Sequence, residues 1–211
     1  MDAIKKAYKV KCETIIQNLK KRNMDGFYAQ TREEAAETVI SLIRQEDVVA
    51  WGGSTTLNQL GIKQLLAEKG ISVIDRDSAQ APEERRRLMK KALTADVFLG
   101  SANAITMNGE LLSIDRLGNR LAAYAFGPDS VILIVGVNKI VPELSAALGR
   151  ARAQATVPNA IRLNMKTPCS VTGKCTECIT QDTLCGQILV TRFSVPKGRI
   201  KVVLVGENLG F

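Results

Sequence analysis

The 211-residue sequence contains no histidine, and this absence excludes several classes of site. Catalysis by Ser-His-Asp or Cys-His groups, zinc held by histidine and iron held by two histidines all require an imidazole. Proton transfer would therefore have to use Asp, Glu, Lys, Tyr or Cys side chains. Cysteine is the one route by which this chain could build an all-protein site for a transition metal.

Aromatic residues and long apolar runs are also scarce. Aromatic side chains make up 4% of the sequence, which disfavours a stacking platform for single-stranded nucleic acid. No run of about eighteen apolar residues occurs, so the sequence predicts no membrane-spanning helix. Residues 1–11 alternate apolar residues with lysines and lack the apolar stretch of a secretory signal. We expect a cytoplasmic protein that does not act at a membrane.

The composition is typical of a globular protein with a basic surface. Apolar residues account for 45% and charged residues for 24% of the chain. The sequence has 29 Lys and Arg against 21 Asp and Glu, a net charge of +8. The basic residues are scattered, and the densest group, Arg85 to Arg87, lies in a predicted helix beside acidic residues. We therefore expect a small anionic partner and no nucleic acid.

Apolar segments of strand length alternate with segments of helical periodicity along most of the chain. This alternation predicts an α/β fold with a mainly parallel sheet and helices on both faces. An amphipathic helix within residues 1–26 is expected to pack on a single domain of residues 27–211. In that domain, residues 164–187 are expected to form an aperiodic, cysteine-rich loop. The predicted strands are 27–30, 48–51, 71–74, 97–99, 131–135 and 202–205.

The first candidate site follows the predicted strand that ends at Trp51. Two glycines and three hydroxyl residues lead there into a predicted helix: Gly52, Gly53, Ser54, Thr55 and Thr56. Backbone N–H groups, hydroxyls and a helix N-terminus in this arrangement can bind an anion. The segment is neither a P-loop nor a dinucleotide-binding motif. The alternative is an ordinary tight turn in which Ser54 or Thr55 caps the helix.

The second candidate region begins after the predicted strand 97–99. Its polar side chains are Asn103, Glu110, Asp115, Asn119 and Arg120. Ligands bind at the carboxyl ends of strands in open sheets, so Glu110 or Asp115 could act as a base or nucleophile and Arg120 could bind an anion. The alternative is a hairpin that turns at Asn108-Gly109. If both candidate regions are functional, we expect them to face one pocket.

Four of the five cysteines cluster in the cysteine-rich loop. Cys169, Cys175, Cys178 and Cys185 have the spacing C-x5-C-x2-C-x6-C, whereas Cys12 lies far away. In a cytoplasmic chain this clustering favours a metal over disulfides. The ligand set would consist of thiolates, as in an iron–sulfur cluster or structural zinc, and the spacing does not choose between them. A redox pair at Cys175 and Cys178, or unliganded thiols, are the alternatives.

Several short motifs lie in a fixed order along the chain. They are Trp51-Gly-Gly-Ser-Thr-Thr-Leu, Gly100-Ser-Ala-Asn-Ala-Ile-Thr, Asn108-Gly-Glu-Leu, Ile114-Asp, Gly118-Asn-Arg and Val135-Gly-Val-Asn-Lys-Ile-Val. Together they resemble the lactate-utilisation (LUD) domain family over about residues 27–205. The chain is similar to the short, stand-alone form that carries the cysteine-rich loop inside the domain.

The resemblance implies a fold similar to the ribose-5-phosphate isomerase and CoA-transferase group. In that group a Gly-Ser/Thr loop grips phosphate or CoA, which favours an anion site at residues 52–56. Family members are linked to lactate oxidation through multi-protein iron–sulfur systems, so other redox subunits are expected partners, and we also expect a homo-oligomer.

Three functional hypotheses remain open. The first, which we favour, is a component or accessory of lactate or organic-acid oxidation that binds an anionic small molecule and a thiolate-ligated metal centre. The second is an isomerase or acyl/CoA-transfer enzyme that uses Glu110 or Asp115. The third is a nucleic-acid-binding regulatory protein, which is based on charge alone.

Overall fold

The computed structural model describes residues 3–211, which form two sheets and the helices that cover them. The strands are β1 (Asp25–Ala29), β2 (Val49–Trp51), β3 (Val73–Ile74), β4 (Val97–Gly100), β5 (Ala104–Thr106), β6 (Leu111–Asp115), β7 (Ser130–Gly136), β8 (Ile140–Val141), β9 (Gln187–Thr191) and β10 (Ile200–Val205). The α-helices are α1 (Ala3–Lys20), α2 (Arg32–Ser41), α3 (Thr55–Gln59), α4 (Ile62–Glu68), α5 (Pro82–Lys91), α6 (Asn119–Ala125), α7 (Leu144–Arg150), α8 (Val157–Arg162) and α9 (Pro168–Thr172).

The main sheet has six strands in the order β1-β10-β7-β4-β2-β3, and every neighbouring pair is parallel. Its central strands are apolar at successive positions, so both of their faces are buried. In β7, Val131 and Leu133 belong to one hydrophobic cluster, whereas Ile132 and Ile134 belong to the cluster on the opposite face. Helices α1 and α6 contribute to the first cluster, and α2, α3 and α4 to the second. The predicted α/β fold is confirmed.

The first helix, α1, covers one face of the main sheet. Its residues Cys12, Ile15 and Leu19 are fully buried in the same cluster as the strand residues of that face. Strand β1 follows from Asp25, two residues earlier than predicted. Residues 1 and 2, which the predicted N-terminal segment includes, lie outside the described residues. Within 3–211, no helix is long and apolar enough to cross a membrane.

A smaller sheet packs beside the main one, in the order β8-β5-β6-β9. Its centre is the predicted hairpin: β5 pairs antiparallel with β6, and Gly109 in the turn has a φ of +83°. Strand β9, which pairs antiparallel with β6, follows the cysteine-rich loop and was not predicted. Its residues are only partly buried, so their apolar pattern is weak.

One long helical segment, residues 144–162, closes the smaller sheet and contains a π-helical stretch. This stretch, Ala151–Thr156, separates α7 from α8. Pro158, in the first turn of α8, has no N–H to donate, and in a regular α-helix its ring would clash with the carbonyl four residues earlier. The wider π-helical turn before it avoids this clash. The hydroxyl of Thr156 donates to the carbonyl of Ala151, 3.0 Å away, and stabilises that turn. The helical segment therefore continues past the π-helical stretch to Arg162.

Arg199 fixes the end of α6 against the main sheet. Its guanidinium donates to the backbone carbonyls of Ala123 (2.9 Å), Tyr124 (2.8 Å) and Pro128 (2.9 Å). The last carbonyls of a helix have no partner within the helix, so these bonds satisfy groups that would otherwise need water. Helix α6 carries Arg120 near its N-terminus, and Arg199 therefore helps to position the site described below.

We predict that Arg199→Ala lowers the free energy of unfolding by about 1.5–3 kcal/mol, the range for hydrogen bonds to charged groups. Urea denaturation followed by circular dichroism measures the change. Arg199→Lys is the matched control, because it keeps the charge but loses the planar fork, and it should recover only part of the loss. Wild-type stability of Arg199→Ala would show that α6 is held by other contacts.

Candidate anion-binding site

A cavity of about 380 Å³ opens at the carboxyl ends of β2 and β4. The chain leaves β2 towards β3 at the sheet edge and leaves β4 towards the opposite side, so a crevice forms between the two strand ends. Both predicted segments reach this cavity. The lining includes Gly53, Ser54, Thr55 and Thr56 after β2, and Ser101, Asn103, Asp115, Asn119 and Arg120 after β4.

The cavity wall is strongly basic. Asp115 is the one acidic side chain among the described residues that line it. The basic side chains of the lining are Arg76, Arg85, Arg116, Arg120, Lys139 and Arg162. Arg76 and Arg85 form ion pairs with Asp77, and Arg116 with Asp182, whereas Arg120, Lys139 and Arg162 have no carboxylate partner among the described residues. Unpaired cations around one cavity create a positive potential that attracts anions.

Lys139 is the most constrained of these cations. It follows β7 in a single 3-10 turn, Val137–Lys139, and its side chain is 3% exposed. Its ammonium donates to Thr56 Oγ1 at 3.0 Å and to Ser101 Oγ at 2.9 Å, and no carboxylate pairs with it in the described chain. Burial, followed by the charges of Arg150 and Arg120, lowers the pKa of Lys139 to about 7.

Gly210 and Arg150 shape the surroundings of Lys139. Gly210 packs directly over it: a Cβ at that position would lie 2.5 Å from Thr56 Oγ1 and 3.2 Å from Lys139 Nζ. Behind it, the buried Arg150 donates to the carbonyls of Asn103 and Phe211. Burial lowers the pKa of Arg150 to about 10. The positive charge at this end of the cavity is therefore poorly compensated by the protein itself.

The two glycines after β2 admit arginine side chains. A Cβ on Gly52 would lie 2.7 Å from Cδ of Arg120, and one on Gly53 would lie 2.7 Å from a terminal nitrogen of Arg76. Arg120 also donates to the carbonyl of Gly53 at 3.2 Å. Gly52 itself is not part of the cavity lining. The glycines therefore bring two guanidiniums to the cavity. The N–H of Gly52 donates to the carbonyl of Leu99 at 3.3 Å, and an anion site at the N–H groups of Gly53 and Ser54 stays a prediction.

The hydroxyl residues after the glycines have different roles. Ser54 is the N-cap of α3, and its hydroxyl accepts from the N–H of Leu57 at 3.3 Å. This is the capping role considered as the alternative in the sequence analysis. Thr56 is buried and its hydroxyl accepts from Lys139, while Thr55 lines the cavity.

Asp115 and Asn103 line the cavity but are already engaged with the backbone. The two carboxylate oxygens of Asp115 accept from the N–H groups of Arg116 (2.8 Å) and Arg120 (3.0 Å). The side-chain oxygen of Asn103 accepts from the N–H of Ile114 at 2.8 Å. Asp115 therefore positions the start of α6 and Arg120, and its geometry is that of a capping residue rather than of a base.

Glu110 is not among the residues that line the cavity, so of the two predicted carboxylates Asp115 is the one that reaches it. Glu110 precedes β6, whereas Asp115 ends that strand, and the two are about 16 Å apart at roughly 3.3 Å per residue. Glu110 forms an ion pair of 3.3 Å with Arg22, just after α1. Its other oxygen accepts from the hydroxyl of Thr106 at 3.1 Å. It joins the hairpin tip to the first helix.

The four clustered cysteines surround a second pocket, of about 280 Å³. Cys169 is buried beside Thr167, with 3.2 Å between Sγ and the hydroxyl, whereas Cys175, Cys178 and Cys185 are half-buried. Burial raises the pKa of the Cys185 thiol, and the neighbouring Cys175 and Cys178 raise it further. As positioned, no group of three or more possible ligand residues within 3–211 is arranged to hold a metal ion.

The anion cavity and the cysteine pocket share a wall. Thr156 and Leu184 line both of them. The hydroxyl of Thr156 lies 3.8 Å from Sγ of Cys185 and is held by the π-helical turn. Cys12 is remote from this wall, and burial in the main core raises the pKa of its thiol to about 12.

Sequence reasoning did not assign four of the side chains that shape the cavity. Lys139 and Arg76 each lie a few residues after a strand, so the rule that ligands gather at strand carboxyl ends could have identified them. Arg150 and Thr156 lie inside a helical segment, and their positions carry no local signal.

We predict that Glu110→Ala lowers the free energy of unfolding by about 1.5–3 kcal/mol, because it removes hydrogen bonds to a charged group and leaves Arg22 with only the carbonyls of Asn108 and Arg192 as partners. Binding of small anions to the cavity should be unchanged. Thermal and urea denaturation measure the first effect, and calorimetric titration the second. Loss of anion binding at wild-type stability would restore a functional role for Glu110.

Comparison with known proteins places the chain in a family. The structure is similar to the crystal structure of a DUF162 family protein from Deinococcus radiodurans, with a TM-score of 0.53 and 14% identity, over 94% of this chain and 97% of that one. At that identity the likeness supports the fold alone. No curated protein matches the chain. The model of the LUD domain matches residues 12–205, most of the chain, and the protein therefore belongs to the LUD domain family.

Proposed function

We propose that this LUD-domain protein binds a small organic anion in the basic cavity and acts as a component or accessory of lactate or organic-acid oxidation. The observation that carries the proposal is Lys139, a buried cation at the cavity wall with hydroxyl partners and no carboxylate partner among the described residues. Burying a charged group without a counter-charge is costly, and a bound anion would remove that cost.

The rest of the cavity supports an anion with further polar groups. The side-chain nitrogen Nε of Arg120 is buried and has no hydrogen-bond partner among the described residues, and Nε of Arg76 has only an ion-pair contact of 3.4 Å with Asp77. Guanidinium groups can form paired hydrogen bonds with carboxylate or phosphate. A 2-hydroxy acid such as lactate would offer a carboxylate to these cations and a hydroxyl to Thr56 or Ser101. A cavity of about 380 Å³ is large enough for such a molecule.

We predict that the affinity for a bound carboxylate falls as the pH rises above about 7. The pKa of Lys139 is lowered from its ordinary value of 10.5 to about 7, so the unliganded protein loses this proton near neutrality. An anion favours the protonated form, and binding above pH 7 therefore takes up a proton. The affinity should then fall by up to about tenfold per pH unit. Calorimetric titration with lactate, in buffers of different ionisation enthalpy, measures both the affinity and the proton uptake.

The variant Lys139→Met tests the same prediction. It should weaken binding by roughly 10–150-fold near neutral pH, the equivalent of about 1.5–3 kcal/mol, and abolish the proton uptake. Lys201→Met is the matched control, because Lys201 is a half-buried lysine outside the cavity that bonds to Ser130 and Gly198. Binding that is independent of both pH and Lys139 would contradict the proposal.

We further propose that Cys169, Cys175, Cys178 and Cys185 bind one thiolate-ligated centre, either an iron–sulfur cluster or zinc. The support is the convergence of four thiols on one pocket, where Cys175 and Cys178 lie close enough to Cys185 to contribute to its raised pKa. Their sulfur atoms would have to move towards one another, and the irregular chain between α9 and β9 contains three of the four residues. An iron–sulfur cluster would supply one-electron transfer, whereas zinc would be structural. Redox partner subunits, a cytoplasmic location and a homo-oligomer remain predictions.

We predict that protein purified anaerobically and without chelators contains metal at these four residues. Iron with acid-labile sulfide and visible absorbance would identify a cluster, and colourless zinc a structural site. Cys178→Ser should lower the metal content, whereas Cys12→Ser, at the buried core cysteine, should leave it unchanged. Metal-free protein from this preparation would reject the metal centre.

A further inference from the structure

We infer that Ser101 is a nucleophile and Lys139 its base, and that together they transfer the acyl group of a small anionic ester or thioester. The inference rests on the proposed anion cavity, because the basic wall would bind the negatively charged end of such a donor. It replaces the carboxylate nucleophile of the isomerase or acyl-transfer hypothesis with a hydroxyl.

The geometry is that of an activated nucleophile. Ser101 directly follows β4 and lines the cavity; its Oγ accepts from Lys139 Nζ at 2.9 Å, and its hydroxyl donates to the carbonyl of Ala102 at 3.3 Å. Once the amine is neutral, rotation of the hydroxyl towards Nζ would reverse the hydrogen bond with Lys139. Lys139 is oriented in turn by Thr56, whose Oγ1 is 3.0 Å from Nζ. A nucleophile within hydrogen-bonding distance of a base, which is itself held by a third group, is the arrangement that serine hydrolases of several folds share.

The backbone of Ser101 is held rigidly, which fixes the direction of its side chain. The N–H of Ser101 donates to the Tyr124 hydroxyl, and that hydroxyl donates to the carbonyl of Ser101, both at 3.1 Å. Gly100 makes this approach possible, since a Cβ there would lie 2.0 Å from the Tyr124 oxygen. Tyr124 is buried, its pKa is raised to about 12 by burial, and it therefore stays protonated and keeps both bonds.

Lys139 can accept a proton near neutral pH. Its pKa of about 7 leaves a large fraction of the amine neutral, in contrast to a surface lysine. The two carboxylates predicted from the sequence are unsuited to the task. Glu110 lies outside the cavity in an ion pair with Arg22, and both oxygens of Asp115 accept backbone N–H groups.

The proposed reaction has two balanced halves. Ser101 Oγ attacks the acyl carbon and its proton passes to Lys139 Nζ; the bond to the alcohol or thiol then breaks, and that leaving group takes the proton from Nζ. Water, or a second alcohol or thiol, next attacks the acyl-Ser101 ester while Nζ accepts its proton, and Nζ returns the proton to Oγ. Arg120 and Arg76 supply positive charge near the tetrahedral intermediates.

The test uses 4-nitrophenyl hemisuccinate, an anionic ester with a coloured leaving group. We expect a burst of nitrophenolate, one succinyl group added to the protein mass, and the modification on the peptide that contains Ser101. The acylation rate should rise with pH and then level off as Lys139 loses its proton. The midpoint should lie near 7 with the uncharged 4-nitrophenyl acetate, and above 7 with the hemisuccinate, because a bound anion favours the protonated amine. Lys139→Met should slow acylation by about 100-fold or more, the usual contribution of a general base.

Ser101→Ala should abolish the burst, and Ser130→Ala is the matched control. Ser130 also lies 2.9 Å from a lysine with a lowered pKa, Lys201, but it is outside the cavity, so its replacement should change nothing. Ser101→Cys controls for a folding defect in Ser101→Ala, because a correctly folded Ser101→Cys protein should acquire a hydroxylamine-sensitive thioester at the same position. Acylation of Lys139 itself, of scattered surface residues, or of Ser101→Ala at the wild-type rate would each overturn the inference.

The two proposals fail in distinguishable ways. Titration with succinate reports the anion site alone, and 4-nitrophenyl acetate, which carries no charge, reports the nucleophile alone. Succinate binding without acylation by either ester would reject Ser101 as a nucleophile and leave the anion site standing. Acylation by both esters at similar rates, without succinate binding, would reject the anion site instead.

Discussion

The burial of Lys139 without a counter-charge is the constraint on which the rest of the site depends. A lysine ammonium next to the buried Arg150 and the half-buried Arg120 is unfavourable in a protein interior, as the lowered pKa of Lys139 reflects. The fold tolerates it because hydroxyls of Thr56 and Ser101 accept its hydrogen bonds. A protein seldom retains such a group for stability alone, since an apolar side chain would fill the space at lower cost. The arrangement is instead suited to a ligand that supplies the missing negative charge, or to a step in which the amine takes up a proton.

Glycines in the segments around the cavity leave room for large side chains. Gly52 and Gly53 leave room for Arg120 and Arg76, and Gly100 leaves room for the Tyr124 hydroxyl that fixes Ser101. The carboxylate of Asp115 accepts hydrogen bonds from backbone N–H groups and so holds the start of α6, which carries Arg120. Many residues of the family motifs are therefore needed so that side chains can pack next to the cavity. Only some of these residues face the space in which a ligand would lie.

The cysteine-rich loop and this cavity are adjacent at one structural feature, the π-helical turn before Pro158. That turn directs Thr156 into the wall between the two pockets, where its hydroxyl lies near Cys185. Thr156 and Leu184 line both pockets and so form a shared wall between the cysteine cluster and the basic cavity.

The sequence by itself determined the α/β class, the hairpin at Asn108-Gly109, the clustering of four cysteines and the two segments that meet at the cavity. These features depend on local periodicity, turn chemistry and the rule that ligands lie at the carboxyl ends of parallel strands. Only the tertiary structure decided that Glu110 is excluded, that Asp115 serves as a cap, and that Lys139 joins Thr56 and Ser101 without a carboxylate. The reason is that local patterns fix where a strand ends, whereas the pairing order β7-β4-β2 fixes which strand ends become neighbours, and that order depends on contacts between residues far apart in the chain.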